Sequence, residues 1–271
     1  MALADLDIAG EEARVTPIRK VKDLIKEGVK KGYKNIIACG DDGIAQKVIT
    51  SLATLKIRKK DLCFSIIPLR SSKIAQVLGI PSIDAAPEII SKRRIEKVDL
   101  GKLDDQYFLI SCSMGAGESP VKLGSFWSKL AFMTRSVRYP EIQLKFKEGF
   151  KVTVQPTKVG IFNILDYHKG KLSLKTNSQV SITVSPQDGL LDVIIVGKLA
   201  KFNLLKYLAD IQANNFEKIP GISLFRTKKV TISSSGPIPI TLDRQKVEKK
   251  HLVCQVIPQK LNVIVGRERR F

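Results

Sequence analysis

Two textures of apolar residue alternate along the first hundred positions. From Pro17 to Lys31, Ile18, Val21, Leu24, Ile25 and Val29 recur at the three-and-four spacing of one helix face, and Asn35-Ile36-Ile37-Ala38-Cys39 follows with the length and content of a buried strand. The rhythm continues: Ile44 to Leu55 reads as a helix, Cys63-Phe64-Ser65-Ile66-Ile67 as a strand ending at Pro68, and Ser71 to Leu78 as a helix closed by Gly79 and Pro81. Asp84 to Ser91 adds a helix and Ile95 to Leu103 a strand. Strands and helices in this alternation predict a parallel sheet covered by helices.

From about Tyr107 the period shortens to two. Phe150 to Val154, Lys158 to Phe162, Gln179 to Val184, Leu191 to Val196, Lys229 to Ser233, Ile238 to Leu242 and Leu252 to Ile257 are β-branched runs spaced as a sandwich or open barrel needs. Trp127 to Val137 and Phe202 to Asn214 interrupt them with helical spacing. The expected architecture is α/β plus all-β: a parallel-sheet domain over residues 1–105 and an antiparallel β-sandwich over residues 106–271, divided on the change of texture.

Composition narrows the function classes. The 271 residues and 44% hydrophobic content suffice for real cores. No run of eighteen apolar residues occurs and the first residues lack a signal peptide's basic start, so a cytoplasmic location is expected. Cys39, Cys63, Cys112 and Cys254 stand singly in or beside apolar stretches, the setting of buried thiols rather than of a zinc site. Forty-six Lys and Arg against twenty-six Asp and Glu give +20, which attracts anionic lipid, nucleotide or nucleic acid. The basic residues are spread, with few interleaved aromatics and no nucleic-acid motif, which makes nucleic acid the weakest of these partners. A solvated lysine-rich surface and peripheral association with a membrane remain as readings of that charge.

The strongest chemical signal is a strand running into Gly40-Asp41-Asp42-Gly43 and then a helix, the geometry by which α/β proteins hold phosphate at a sheet's carboxyl edge. Turn glycines and an Asp helix cap give the same pattern without a ligand. The segments that follow sharpen it. Phe64 to Ser72, with Pro68-Leu69-Arg70-Ser71-Ser72 as a second loop, is followed by Leu78-Gly79-Ile80-Pro81, Val98-Asp99-Leu100-Gly101, Ser185-Pro186-Gln187-Asp188-Gly189-Leu190-Leu191-Asp192 and Leu242-Asp243. This ordered set, over most of the chain, resembles the diacylglycerol kinase and sphingosine kinase family of lipid kinases, without its opening phosphate loop.

The resemblance implies a reduced N-terminal nucleotide-binding domain, a C-terminal β-sandwich, and ATP and Mg2+ between them serving transfer to a lipid hydroxyl. It assigns nucleotide binding to Gly40, Asp41, Asp42, Gly43, Arg70, Ser71, Ser72 and Lys73, catalysis to Asp42 and Asp243, and a structural Mg2+ to Asp188 with the carbonyls of Ser185 and Leu190. A strand-entry turn is the plain alternative for that last set.

Several positions depart from the family pattern. Asp41 stands where the family has glycine, and a carboxylate ~4 Å from a phosphate charge costs about 4 kcal/mol at an effective dielectric near 20. Ile44 replaces a threonine, Gln46 and Lys47 replace Asn-Glu, and Arg70 and Lys73 replace glycine and asparagine. Gln245 takes the place of the glutamate base and cannot accept a proton, while Gly115-Ala116-Gly117 with Glu118 replaces Gly-Phe-Asp. Two functions are therefore expected in competition: a lipid kinase with rebuilt loops, and a non-catalytic descendant whose cleft binds a nucleotide or an anionic lipid head group. A homodimer through the sandwich is a further possible partner. Phe126, Trp127 and Phe132 suit core packing, and His168 a surface loop.

Overall fold

The computed structural model describes residues 8, 10–55, 62–115, 140–165, 171–175, 179–243 and 245–271, with the backbone alone at 171–175, 179–183, 201 and 245–247. The first half runs α1 (Val21–Lys30), β1 (Asn35–Gly40), α2 (Asp42–Thr54), β2 (Cys63–Pro68), α3 (Lys73–Val77), α4 (Ala86–Ser91) and β3 (Ile95–Leu103). Then come β4 (Gln106–Phe108), β5 (Ser111–Gly115), β6 (Ile142–Phe146), β7 (Lys151–Val154), β8 (Lys158–Phe162), β9 (Lys171–Lys175), β10 (Gln179–Thr183) and β11 (Leu191–Val196). Helix α5 (Lys201–Ala213) precedes a short 3-10 turn, Phe216–Lys218, and β12 (Ile222–Thr227), β13 (Lys229–Leu242) and β14 (Gln245–Ile264) finish the chain.

The predicted α/β half and β-sandwich-like half are both present. β1 and β2 pair in parallel from Asn35 opposite Cys63 to Gly40 opposite Pro68. β5, β8, β11, β12 and β13 form an antiparallel array, with β8 between β5 and β11. A long closing strand joins the two. β14 pairs with β13 over its first half, then places Asn262 and Val263 in parallel against Cys63 and Phe64 of β2. Its second half also pairs with β3 across an irregularity between Ile257 and Leu261. Leu261, Val263, Ile264 and Val265 are thereby packed into the same core as Ile49, Phe64, Ile74 and Leu100.

Where the elements begin has local causes. Helix α3 starts at Lys73 rather than Ser71 because the Ser72 hydroxyl accepts the Ala75 N–H and acts as its cap. The two runs Lys229 to Ser233 and Ile238 to Leu242 are one strand, since the polar stretch between them is absorbed as a register shift against β14. Gly101 is required by close approach: a Cβ there would fall 2.0 Å from the Phe108 ring, which lies across the glycine in the β3–β4 pair.

Cys63, Cys112 and Cys254 are buried, but Cys39 is exposed, contrary to expectation. β1 pairs only with β2 among the described residues, and a strand with one neighbour leaves part of its apolar run uncovered. Phe126, Trp127, Phe132, His168 and Glu118 lie outside the described residues. Among the described residues no helix is long and apolar enough to cross a membrane.

Candidate functional site

The two loops predicted to hold phosphate are tied together by one carboxylate. Asp42, the first residue of α2, is buried, and its Oδ1 accepts the Ser72 hydroxyl and the Ile74 N–H at 3.2 Å, while Oδ2 accepts the Lys73 N–H at 3.1 Å. A buried carboxylate is tolerated when donors surround it, and the start of α3 supplies two backbone N–H groups for the purpose. Asp41 turns outward as the cap of α2, with Oδ1 accepting the Ile44 N–H at 3.1 Å. That amide is one of the donors a phosphate would use at this helix end. Gly43 stays small for a related reason: a Cβ on it would come 3.2 Å from Asp41 Oδ1.

Behind the loops lies a polar cavity of about 130 Å³ lined by Asp42, Lys73, Ser111, Lys158, Asn214 and Asp243 together with apolar neighbours. Of the predicted residues, Asp42, Lys73 and Asp243 meet there. Gly40, Asp41, Gly43, Arg70, Ser71 and Ser72 are outside its lining, with Asp41, Arg70 and Ser71 exposed on the rim side of the loops.

Asp243 sits in the turn between β13 and β14 at φ 39°, a left-handed conformation that Asp tolerates better than most residues. Its carboxylate receives four contacts from three backbone amides: Leu109 at 2.7 Å, Ile110 at 3.2 and 3.3 Å, and Ser111 at 2.8 Å. Its own N–H returns a bond to the Ser111 carbonyl at 3.1 Å. Burial nevertheless pushes its pKa up to about 6 against those donors, and the charge of Asp42 adds to the rise. Gln245 opens β14 opposite Leu242; its side chain, like Arg244, is outside the described residues.

Lys158 and Asn214 were not singled out by sequence reasoning. The first residue of β8, Lys158 is 3% exposed, and its Nζ donates to the Ile211 carbonyl and to Asn214 Oδ1, both at 2.9 Å. Asn214 ends α5 in the left-handed conformation at φ 58°. The buried ammonium therefore anchors the C-terminal end of α5 over the cavity and places a positive charge opposite two carboxylates.

The segment assigned to a structural Mg2+ is arranged differently. Asp188 Oδ1 accepts the Leu190 N–H at 2.9 Å and its Oδ2 is bonded to the Arg226 guanidinium, which also meets buried Asp192 at 3.1 Å. Burial raises Asp192 to about 6, with Arg226 opposing and Asp188 reinforcing the shift. The Arg226 cation thus already stands against both Asp188 and Asp192, an arrangement that suits a guanidinium and, as the side chains stand, does not fit a divalent cation beside it. Among the described residues no group of three or more His, Cys, Asp or Glu could hold a metal ion. Asp99, named in the sequence only as part of a motif, proves to be the brace of this region. Its carboxylate accepts the Gly189 N–H at 2.8 Å and the Gln259 N–H at 2.7 Å, joining β3, the strand-entry turn and β14.

Mg2+ and ATP are tested by the same reasoning at the loops. The Ile44 amide is engaged by Asp41, and Asp42 is engaged by Ser72, Lys73 and Ile74. As the side chains stand, the first loop presents carboxylate where a nucleotide phosphate would need amide, and these residues do not fit Mg2+-bound ATP.

A model of the diacylglycerol kinase catalytic domain matches residues 3–103, and a model of the YegS C-terminal NAD kinase beta sandwich-like domain matches residues 177–265. A diacylglycerol kinase of Staphylococcus aureus (strain JH9) is 24% identical over 258 residues, covering 89% of this chain and 78% of the relative. Among solved structures, a diacylglycerol kinase from Bacillus anthracis str. Sterne superposes with a TM-score of 0.68 at 16% identity, covering 98% of this chain and 88% of the other. Yeast NADH kinase complexed with NADH superposes with a TM-score of 0.52 at 7% identity, covering 88% and 63%. These two likenesses are likenesses of fold.

Proposed function

We propose that this chain, which belongs to the diacylglycerol kinase catalytic-domain family, keeps the family's cleft as a binding site for a phosphate-bearing ligand and has lost phosphoryl transfer. The observation that carries this reading is the state of Asp243. A carboxylate has about four lone-pair sites, and four N–H contacts fill them. A general base must be within hydrogen-bond reach of the proton it removes and have a lone pair to receive it. Asp243 spends that capacity on residues 109–111, and Gln245, where the family has glutamate, cannot replace it.

Binding is a lesser demand. Lys73 and Lys158 bring positive charge to the cavity, Ser111 brings a hydroxyl, and Arg70 extends the basic character onto the exposed loop. These groups suit a phosphate monoester, whether it belongs to a nucleotide or to a lipid head group. A working kinase is favoured by one observation, that Asp42, Lys73 and Asp243 share a single cavity.

The deciding experiment incubates the chain with radiolabelled ATP, Mg2+ and diacylglycerol in mixed micelles, beside calorimetric titrations with ATP and with glycerol 3-phosphate. No phosphatidate above the protein-free control is expected, with saturable binding of one phosphate source that Lys73→Ala weakens. Turnover that Asp243→Asn abolishes would sink the proposal. Binding no stronger than that of sulfate would remove the cleft's ligand.

A further inference from the structure

The large sheet ends on one side at β1, which pairs only with β2 among the described residues. That ladder fixes which backbone groups are left over. The Cys63 N–H donates to the Lys34 carbonyl at 2.9 Å and the Leu69 N–H to the Gly40 carbonyl at 3.1 Å, so the even-numbered residues of this run face β2. The N–H and C=O of one strand residue point to one side and those of the next residue to the other. Asn35, Ile37 and Cys39 therefore turn their main-chain donors and acceptors to the open side. Edge strands are ordinarily blunted by shortness, a charge, a proline or a bulge. Of the other edge strands, β4 is three residues long, and β7 and β12 carry exposed Lys151 and Arg226. β1 has none of these devices: its six residues run in unbroken register without charge or proline, with Ile36 and Ile37 half-buried and Cys39 exposed. Residues 10–20, which lead into α1, are exposed throughout and form no strand.

We propose that this edge pairs antiparallel with β1 of a second copy of the chain, about a two-fold axis at Ile37. Main-chain hydrogen bonds then continue the sheet from one copy into the other. A two-fold axis across antiparallel strands sets one residue opposite itself. With Ile37 there, Asn35 lies opposite the partner's Cys39, and every outward donor and acceptor of both strands is used. Centring the pair on Ile36 or Ala38 would leave an outward residue at one end of each strand beyond the reach of the other. The choice of occupant follows from what flanks the strand. Exposed Lys34 precedes it and exposed Asp41 follows it. Burial raises the Cys39 thiol and the charge of Glu12 adds to the rise, which puts a second acid near that end. Antiparallel pairing of two copies brings the basic end of each strand beside the acidic end of the other. Parallel pairing would set Lys34 beside Lys34 and Asp41 beside Asp41. Because the strand itself is uncharged, two chains of +20 can meet here without like charges directly opposite. The contact lies in the α/β half rather than the sandwich, and it does not depend on what the cleft binds.

The test is sedimentation equilibrium of the full chain under reducing conditions over a range of concentrations, where a mass rising from one chain toward two is expected. Asn35→Pro should weaken association roughly tenfold, through the main-chain donors lost from both copies. The N–H removed faces away from β2, and proline is accepted at the first residue of a strand, so the far-UV spectrum should be unchanged. Cys39→Lys, at an exposed position, should weaken association by a similar factor. Cross-linking reads the register. Asn35→Cys should be trapped as a covalent dimer through native Cys39 on mild oxidation, since residues opposite one another at ~5.5 Å between Cα atoms are within disulfide reach. Wild type should not be trapped, because its two Cys39 residues would lie roughly 14 Å apart along the strands. This readout uses no proline and stands even if Asn35→Pro fails to fold. A chain that is monomeric at every concentration overturns the proposal and leaves the edge to another occupant. A dimer unmoved by Asn35→Pro and Cys39→Lys, or one that Asn35→Cys does not trap, overturns it too and puts the contact elsewhere, as on the sandwich.

Discussion

Asp42 on α2 accepts a hydrogen bond from the hydroxyl of Ser72, the cap of α3, so that one contact couples the loop after β1 to the loop after β2. The same carboxylate holds the N–H groups of Lys73 and Ile74, which would otherwise be buried or half-buried donors at a helix start. Asp42→Ala should therefore lower stability by about 2–3 kcal/mol, the cost of leaving such donors unpaired. Ser72→Ala should cost about 1 kcal/mol as a lost cap. Because the residues touch, the two changes should not add, and a double-mutant cycle in urea should give a coupling above about 0.5 kcal/mol. Strict additivity would mean that the loops are held independently.

Asp41 offers a separate handle on anion affinity. Its side chain engages the Ile44 N–H and brings negative charge to the N-terminus of α2. Glycine is an acceptable cap, so Asp41→Gly should cost only a few tenths of a kcal/mol, roughly 0.5 or less. Releasing that amide and removing the charge should strengthen binding of ATP or sulfate by roughly tenfold, well within the Coulomb term of about 4 kcal/mol at ~4 Å. Calorimetric titration of the variant beside wild type reads the change. An unchanged affinity would show that anions do not approach this end of the helix.

What the sequence made legible was local. The helix at Asp42–Thr54 and the strand at Cys63–Pro68 follow from periodicity within a dozen residues, and Asp42, Lys73 and Asp243 could be nominated from short motifs. What it hid depends on contacts far apart in the chain. Asn262 Nδ2 donates to the Leu62 carbonyl across 200 positions, and no pattern near either residue announces that β14 returns to the first core. The donors that fill Asp243 come from up to 134 positions earlier, so a motif that suggested a base could not reveal a clamp. Lys158 was one of many lysines until the docking of α5 enclosed it. Cys39 erred in the other direction, because an apolar run is only as buried as the neighbours the sheet gives it.

Arg226 bears on the metal question. It pairs with Asp188 and with buried Asp192, and takes up the charge that a cation would otherwise neutralise. Wild-type protein should accordingly show no Mg2+-dependent rise in melting temperature beyond a control matched in ionic strength. Arg226→Ala leaves Asp192 buried without its partner and should cost about 2–3 kcal/mol, somewhat less than a fully buried pair because the guanidinium is partly exposed. With the guanidinium gone, Asp188, Asp192 and the nearby carbonyls become an all-oxygen set, and millimolar Mg2+ should recover part of the loss. Stabilisation of the wild type by Mg2+ would contradict the guanidinium's role.

The last prediction concerns Asp243 and acid. Its folded-state pKa is pushed up to about 6, above an unfolded carboxylate near 4, so between these values the folded protein binds more protons than the unfolded chain. Stability then falls as pH rises through that window, because the slope of the unfolding free energy with pH follows the protons bound unfolded minus those bound folded. The contribution is fully present below about pH 4 and lost above about pH 6, opposite in sign to a salt-bridged carboxylate. Asp192 is raised in the same direction, so the wild-type curve alone cannot isolate either group. Asp243→Asn does: it removes one titration and leaves the other. The wild type's stability relative to Asp243→Asn should decline from pH 4.5 to pH 7 by an amount of order 2 kcal/mol, measured by urea unfolding at several pH values. A difference that stays level, or grows with pH, would mean that the four N–H contacts outweigh burial and hold Asp243 ionised throughout, which would also strengthen its role as a clamp over its role as a base.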